Sequence, residues 1–230
     1  MNHAGALPES SFRVRFPERL RGFGPIGIIA FLIVFAGALV FMPIAAALIL
    51  LWAWLSKTPW RDIGFARPRS WIGGLAIGLA LGVGLKIATK AFVLPLLGAP
   101  PINAAFHNLA GNLDATLDLA AYAIYGAGFA EELVFRGYLF ERGKRLFGDS
   151  ALATFATVAF TMALFAVAHW QQGIYGIANA GLVGLVLAVT YLICKRRLWV
   201  PMVTHAAFDL TAAAMIYYDA ETAVSHLIFK

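Results

Sequence analysis

The sequence predicts an all-α fold, a polytopic membrane helix bundle of six or seven spans around a polar intramembrane cavity. Three observations predict it. Of 230 residues, 61% are hydrophobic and 13% charged, whereas soluble domains run nearer a quarter charged. The mean hydropathy is +0.78, and the apolar residues gather into runs near the ~20 residues that cross ~30 Å of hydrocarbon. Inside those runs stand a few ionisable groups, which lipid does not tolerate without a partner. A disordered chain and a cytosolic enzyme are excluded together.

Residues 1–24 read as an N-terminal cytoplasmic tail, with Arg13, Arg15, Arg19 and Arg21 around Pro17. The apolar stretch 25–55 is twice the length of a cleavable signal and ends in LLWAWLSK without a small-residue cleavage site, so no signal peptide is expected. Its 31 residues are long for one span and short for two. A hairpin broken near Pro43 is the favoured arrangement, and it leaves the total at six or seven spans. Further runs follow at about 71–97, 116–139, 150–169, 173–194 and 199–218, the last with Pro201 near its first turn, where a missing N–H costs little. Residues 25–115 are thus upstream membrane helices and loops, 116–218 a membrane core, and 219–230 a C-terminal tail.

The formal charge of +6 belongs to short loops. Lys57, Arg61, Arg67 and Arg69 precede one pair of spans; Arg142, Lys144 and Arg145 separate it from the next pair; Lys195, Arg196 and Arg197 join the last two spans. Two crossings separate each basic loop from the next, and loops 98–115 and 170–172 hold no Lys or Arg. The positive-inside rule therefore makes the basic loops cytoplasmic. No run resembles a nucleic-acid motif, and the basic excess is suited to lipid phosphates. Cys194, the one cysteine, cannot form an internal disulfide or a Cys-rich metal site and reads as filler at a helix end.

The intramembrane ionisable groups are Lys86 and Lys90, Glu131, Glu132 and Arg136, His169, and His205 with Asp209. Lys86 and Lys90 lie late in their span and are expected to snorkel to the outer interface. In GFAEELVFRGYLF the adjacent carboxylates project about 100° apart on a helix and cannot share a task. Glu132 and Arg136 are four apart on one face, which predicts an internal ion pair and leaves Glu131 as the free carboxylate. The competing reading of the trio is a buried polar cluster that fixes helix packing. His169 ends LFAVAH, and His205 precedes Asp209 by one turn. Each alone is a packing residue as readily as a functional one. Contributed by three separate runs, however, the acid, the imidazoles and Asp209 could satisfy one another around one water or metal ion. Glu131 would take a proton from water, His169 would position that water, and His205 with Asp209 would stabilise an oxyanion. The same groups could equally bind Zn²⁺ or another divalent metal, which would acidify the water instead.

Other protease chemistries fit poorly. The serines, at 10, 11, 56, 70, 150 and 225, fall in the tail, loops and run ends, and there is no HExxH and no GxGD. Depth sets a condition on water activation: at ~1.5 Å per residue, Glu131 and His205 lie roughly 10–15 Å from the basic loops, and His169 nearly twice as deep. Some helix must tilt, break or start below the surface for the three to meet.

EELVFR reads as EExxxR, FAVAH as FxxxH and HAAFD as HxxxN/D, in that order, which resembles the CAAX-protease and bacteriocin-processing (CPBP, or Abi) family of intramembrane proteases over roughly 116–218. The resemblance implies an all-helical membrane fold, a polar cavity and peptide-bond cleavage, the best-known relatives removing the C-terminal tripeptide of prenylated CaaX proteins. By motif, Glu131 and His169 would activate water, His205 and Asp209 would hold the oxyanion, and Glu132 and Arg136 would support them. Asp209 stands where Asn is commoner; a carboxylate is a poorer oxyanion donor unless protonated and a better metal ligand. The resemblance leaves both a metal-bound and a metal-free water open. The expected function is intramembrane hydrolysis of a peptide bond in a peptide or membrane-tethered protein, in a prokaryotic plasma membrane. The alternative is a non-proteolytic protein, a proton-coupled transporter or binding scaffold using the same polar cluster.

Overall fold

The computed structural model describes residues 9–229, and every regular element among them is helical. The chain forms two compact units, Met1–Trp60 and Arg61–Lys230.

In the first unit α1 (Glu9–Arg21), α2 (Pro25–Val40) and α3 (Met42–Leu55) follow one another closely. The expected break near Pro43 falls at Phe41, whose backbone is extended (φ −166°, ψ 121°). Pro43 then sits in the first turn of α3, where no intrahelical donor is lost. Trp52 Nε1 donates to Leu20 O at 3.1 Å, and Arg21 donates to Ser56 O at 2.8 Å. These bonds return the end of α3 to the end of α1, just before α2 begins, so α2 and α3 make a hairpin. At ~1.5 Å per residue both are shorter than ~30 Å of hydrocarbon.

The second unit contains α4 (Trp71–Leu96), α5 (residues 113–147), α6 (Ala151–Ala168), α7 (Trp170–Ile193), α8 (Trp199–Tyr217) and the short α9 (Glu221–Ser225). Side-chain oxygens start three of them: Ser70, Asn112 and Ser150 accept from the backbone N–H groups of Gly73, Ala115 and Ala153. Each satisfies a donor that the first helical turn leaves unpaired. Helices α4, α6, α7 and α8 are long and apolar enough to cross a membrane, and a fifth span results if Arg15–Arg21 and α2, bent by 54°, count as one. This is fewer than the six or seven expected. The difference lies in the 25–55 run, which is split into short helices, and in the 116–139 run, which lies inside α5. The middle of α5 is π-helical over Ala123–Glu131 and Leu133–Tyr138.

Helices α4 and α8 run parallel and in close contact. Gly74, Gly78 and Gly82 recur every fourth residue along α4, and a β-carbon on them would strike Trp199, Val203 and the Thr204 carbonyl in turn. Small residues at this spacing let two backbones approach as helices in lipid commonly do. The basic loops meet at one end: Leu198 N–H donates to Gly64 O at 3.0 Å, and Arg196 pairs with Asp149 at 2.6 Å. At the other end Gly111 N–H donates to Tyr217 O at 3.0 Å, which ties the 98–112 loop to the end of α8.

Candidate active site

The EELVFR segment lies in the π-helical middle of α5, and α-helical turns flank it on both sides. Wide turns of this kind are rare and re-aim side chains. Gly128, one turn before the acids, permits the second requirement, close approach of α8: a β-carbon there would stand 2.9 Å from Ala206 Cβ and 3.0 Å from Met202 O. His205 is thereby carried to Glu132.

Glu132 is fully buried, and its Oε1 accepts from Arg136 Nη1 at 2.6 Å and from His205 Nδ1 at 2.8 Å. Arg136, also buried, spends Nη2 on Gly184 O of α7 at 2.9 Å and stacks its guanidinium 4.8 Å from the Phe165 ring of α6. One cation therefore ties α5 to α6 and α7, and the expected Glu132–Arg136 pair is present. Glu131 has a different environment. It is buried, and although the Oε2 of each acid lacks a hydrogen-bond partner, only Glu131 lines a cleft of about 890 Å³.

His169 caps the end of α6, with Nδ1 2.8 Å from Phe165 O. A carbonyl only accepts, so Nδ1 carries the proton and Nε2 is left for other partners. His205 has Nδ1 on Glu132, and its Nε2 stands 3.8 Å from Asp209 Oδ2. The Phe165 ring lies between the imidazoles, with centroid distances of 4.7 Å to His169 and 5.7 Å to His205. Glu131, His169, His205 and Asp209 all line the one cleft. The cleft's lining runs from Glu131 and His205 to Asn103 and Phe106 in the 98–112 loop and Gln172 at the start of α7, away from the basic end. His169, late in α6, is thus on the same cleft as His205, early in α8.

Lys86 and Lys90 depart from the snorkelling expected of them. Lys90 is 4% exposed and pairs with the buried Glu221 at 2.6 Å, while Lys86 lines the cleft with Nζ 4.8 Å from the Phe208 ring. Glu221 also lies 3.3 Å from the Asn103 N–H, so a residue assigned to the C-terminal tail anchors the loop that borders the cleft. Its partner is distant in sequence, and no local spacing signals the pair. Asn179 was more visible, an amide inside an apolar run; it lines the cleft with Oδ1 buried and unpartnered.

Among the described residues, no three His, Cys, Asp or Glu side chains are grouped so as to hold a metal ion. Glu132 is already committed to two donors and His169 Nδ1 to a carbonyl.

Residues 114–211 match the family model of the type II CAAX prenyl endopeptidases, Rce1-like. The match runs from the start of α5 into α8 and includes the six residues singled out by motif. No curated protein and no solved structure matches the chain.

Proposed function

We propose, from the match of residues 114–211 to the Rce1-like family model, that the chain hydrolyses a peptide bond inside the membrane with water activated by Glu131. The observation that carries the reading is the division of labour between the two carboxylates. Arg136 and His205 occupy Oε1 of Glu132, which lies off the cleft, whereas Glu131 presents an unpartnered oxygen on the cleft.

In the proposed reaction a water donates one hydrogen bond to Glu131 and another to His169 Nε2, whose lone pair is fixed by the Nδ1–H bond to Phe165 O. As the water oxygen attacks the peptide carbonyl carbon, Glu131 takes its proton. The carbonyl oxygen becomes an oxyanion and accepts from His205 Nε2–H, while Nδ1–H stays on Glu132. Glu131 then returns the proton to the amide nitrogen, the C–N bond breaks, and an acid and an amine leave. Asp209, beside His205 Nε2, orients that imidazole or, when protonated, donates to the oxyanion itself. No step passes through a metal.

A cleft of about 890 Å³ matches the size range of sites that hold small molecules and peptides, which favours a peptide over a narrow proton relay. Its border of far-end loops supports entry of an extended peptide or membrane-tethered terminus from the side opposite the basic loops, and we assign those basic loops to the cytoplasm. Comparing membrane peptides from cells that carry wild-type or Glu131→Gln protein tests the reading. New termini present only with wild type are expected; identical peptide sets would remove Glu131 from catalysis.

A further inference from the structure

A second cavity, of about 460 Å³, lies at the basic end. Its lining draws Arg61 from the loop before α4, Lys144 and Arg145 from the end of α5, and Lys195, Arg196 and Arg197 from the turn between α7 and α8. Six cations face Asp62 and Glu141 alone. Positive loops that served only to orient the chain would not need to converge on one concavity. The acids nearby are shared rather than matched one to one. Asp149 takes Lys144 at 2.7 Å and Arg196 at 2.6 Å, and Glu141 takes Arg142 and Arg145. Lys195 and Arg197 have no acid within ion-pair distance among the described residues.

Two inward polar atoms lack partners there. Tyr191 is fully buried with its hydroxyl unbonded, and Arg197 Nε is buried and unbonded. Both residues line the cavity. The Tyr191 ring is held edge-on by Phe140, with centroids 5.2 Å apart. The basic turn is built around the same tyrosine: Arg196 N–H donates to Tyr191 O at 2.8 Å. In the same turn Lys195 and Arg196 adopt left-handed backbone, φ 56° and 57°, which residues with a β-carbon seldom do. A strained turn that places three cations beside two orphaned donors suits an acceptor-rich anion.

We propose that this cavity binds a phosphate group, with Tyr191 Oη–H and Arg197 Nε–H as inner donors and Lys195 as an outer cation. Its position at the ends of α5 and α7 matches a headgroup phosphate of an anionic lipid; a free phosphate compound offers the same chemistry. The site shares no lining residue with the cleft.

The test titrates the purified full chain in neutral detergent with short-chain phosphatidylglycerol, short-chain phosphatidylcholine and inorganic phosphate, and follows the unfolding temperature. Phosphatidylglycerol should stabilise the wild type and phosphatidylcholine should not. Lys195→Gln with Arg197→Gln should weaken apparent binding by about tenfold or more, and Tyr191→Phe, which keeps the ring, by severalfold. Arg67→Gln with Arg69→Gln removes two exposed charges from the same end but outside the cavity and should leave affinity unchanged. Stabilisation by inorganic phosphate, or its displacement of the lipid, identifies a free phosphate ligand; a lipid effect that phosphate cannot displace identifies the headgroup. If the double glutamine variant does not fold, Arg197→Lys, which keeps the charge and loses the Nε–H, serves in its place. Equal affinity in wild type and cavity variants overturns the site, as does an equal loss in the Arg67 and Arg69 control, which would reduce the effect to general surface charge.

Discussion

Glu132 on α5 and His205 on α8 share a 2.8 Å hydrogen bond from Nδ1 to Oε1, and the same oxygen receives Arg136 at 2.6 Å. Both donors converge on one buried oxygen, so this oxygen couples helix packing to the orientation of a candidate oxyanion donor. Arg136→Ala should destabilise the protein by about 3–5 kcal/mol, the usual cost of stranding one member of a buried pair. Arg136→Met with Glu132→Gln should recover much of that loss but little activity, because a neutral amide holds His205 less firmly. Unfolding temperatures in detergent, set beside turnover of a cleaved peptide, check both.

Glu131 is expected to behave in the opposite way. Its Oε2 has no partner to lose, and Gln has nearly the same shape, so Glu131→Gln should unfold within a few degrees of wild type. Turnover should fall by about 10²–10⁴, the range for removing a general base. A variant that cleaves at the wild-type rate would move proton transfer to another group.

Asp209 stands 3.8 Å from His205 Nε2 and its side chain is 33% exposed. If its task is to donate to an oxyanion, an amide performs it without needing a proton. Asp209→Asn should therefore retain or raise turnover, while Asp209→Ala should lower it by about tenfold to a hundredfold, within the loss seen when an oxyanion donor is removed. A collapse of activity in the Asn variant would show that the negative charge itself is needed.

The parts of this site legible in sequence are those that depend on local spacing. A four-residue interval predicts the Glu132–Arg136 pair, and the adjacency of Glu131 and Glu132 predicts that one of them is free, because helix geometry alone fixes both relations. The runs that became α4, α6, α7 and α8 were visible for the same reason, since length and polarity decide what crosses lipid. Three features were not legible. The π-helical turns of α5, the first of which packs Gly128 against Ala206, follow no local residue spacing. The bond between Glu132 and His205 joins residues far apart in the chain. Lys90 resembles a snorkelling lysine until Glu221 is brought beside it, and nothing in FVLPLLGAP or DAETAV announces that meeting. The glycine spacing along α4 was readable in WIGGLAIGLALGVG and points to a close helix contact, although not to its partner.

Lys90 and Glu221 are 4% and 5% exposed and 2.6 Å apart, so each neutralises a charge that the interior would otherwise reject. Glu221→Gln should cost about 3–5 kcal/mol. Because Glu221 also lies against the Asn103 N–H, the loss should appear locally as faster amide exchange across residues 98–112. Lys90→Met with Glu221→Gln should restore global stability without restoring protection of that loop. If the loop recovers with the double substitution, it is held by the packing of α9 rather than by the carboxylate.

The parallel contact of α4 with α8 sets where His205 and Asp209 stand, and Gly82 is its tightest point: an added β-carbon would meet the Thr204 carbonyl oxygen, Ala207 Cβ at 2.6 Å and Phe208 N at 2.9 Å. Two of the three contacts are backbone and cannot rotate away. Gly82→Ala must push α8 outward, and His205, next to Thr204, moves with it and stretches its bond to Glu132. Overpacking of this kind typically costs about 1–3 kcal/mol, so the variant should still fold while activity falls more steeply than stability. Gly84, where an added β-carbon meets nothing within 4 Å, provides the control: Gly84→Ala should leave turnover unchanged. Equal activity in the two variants would separate the position of His205 from the α4 contact.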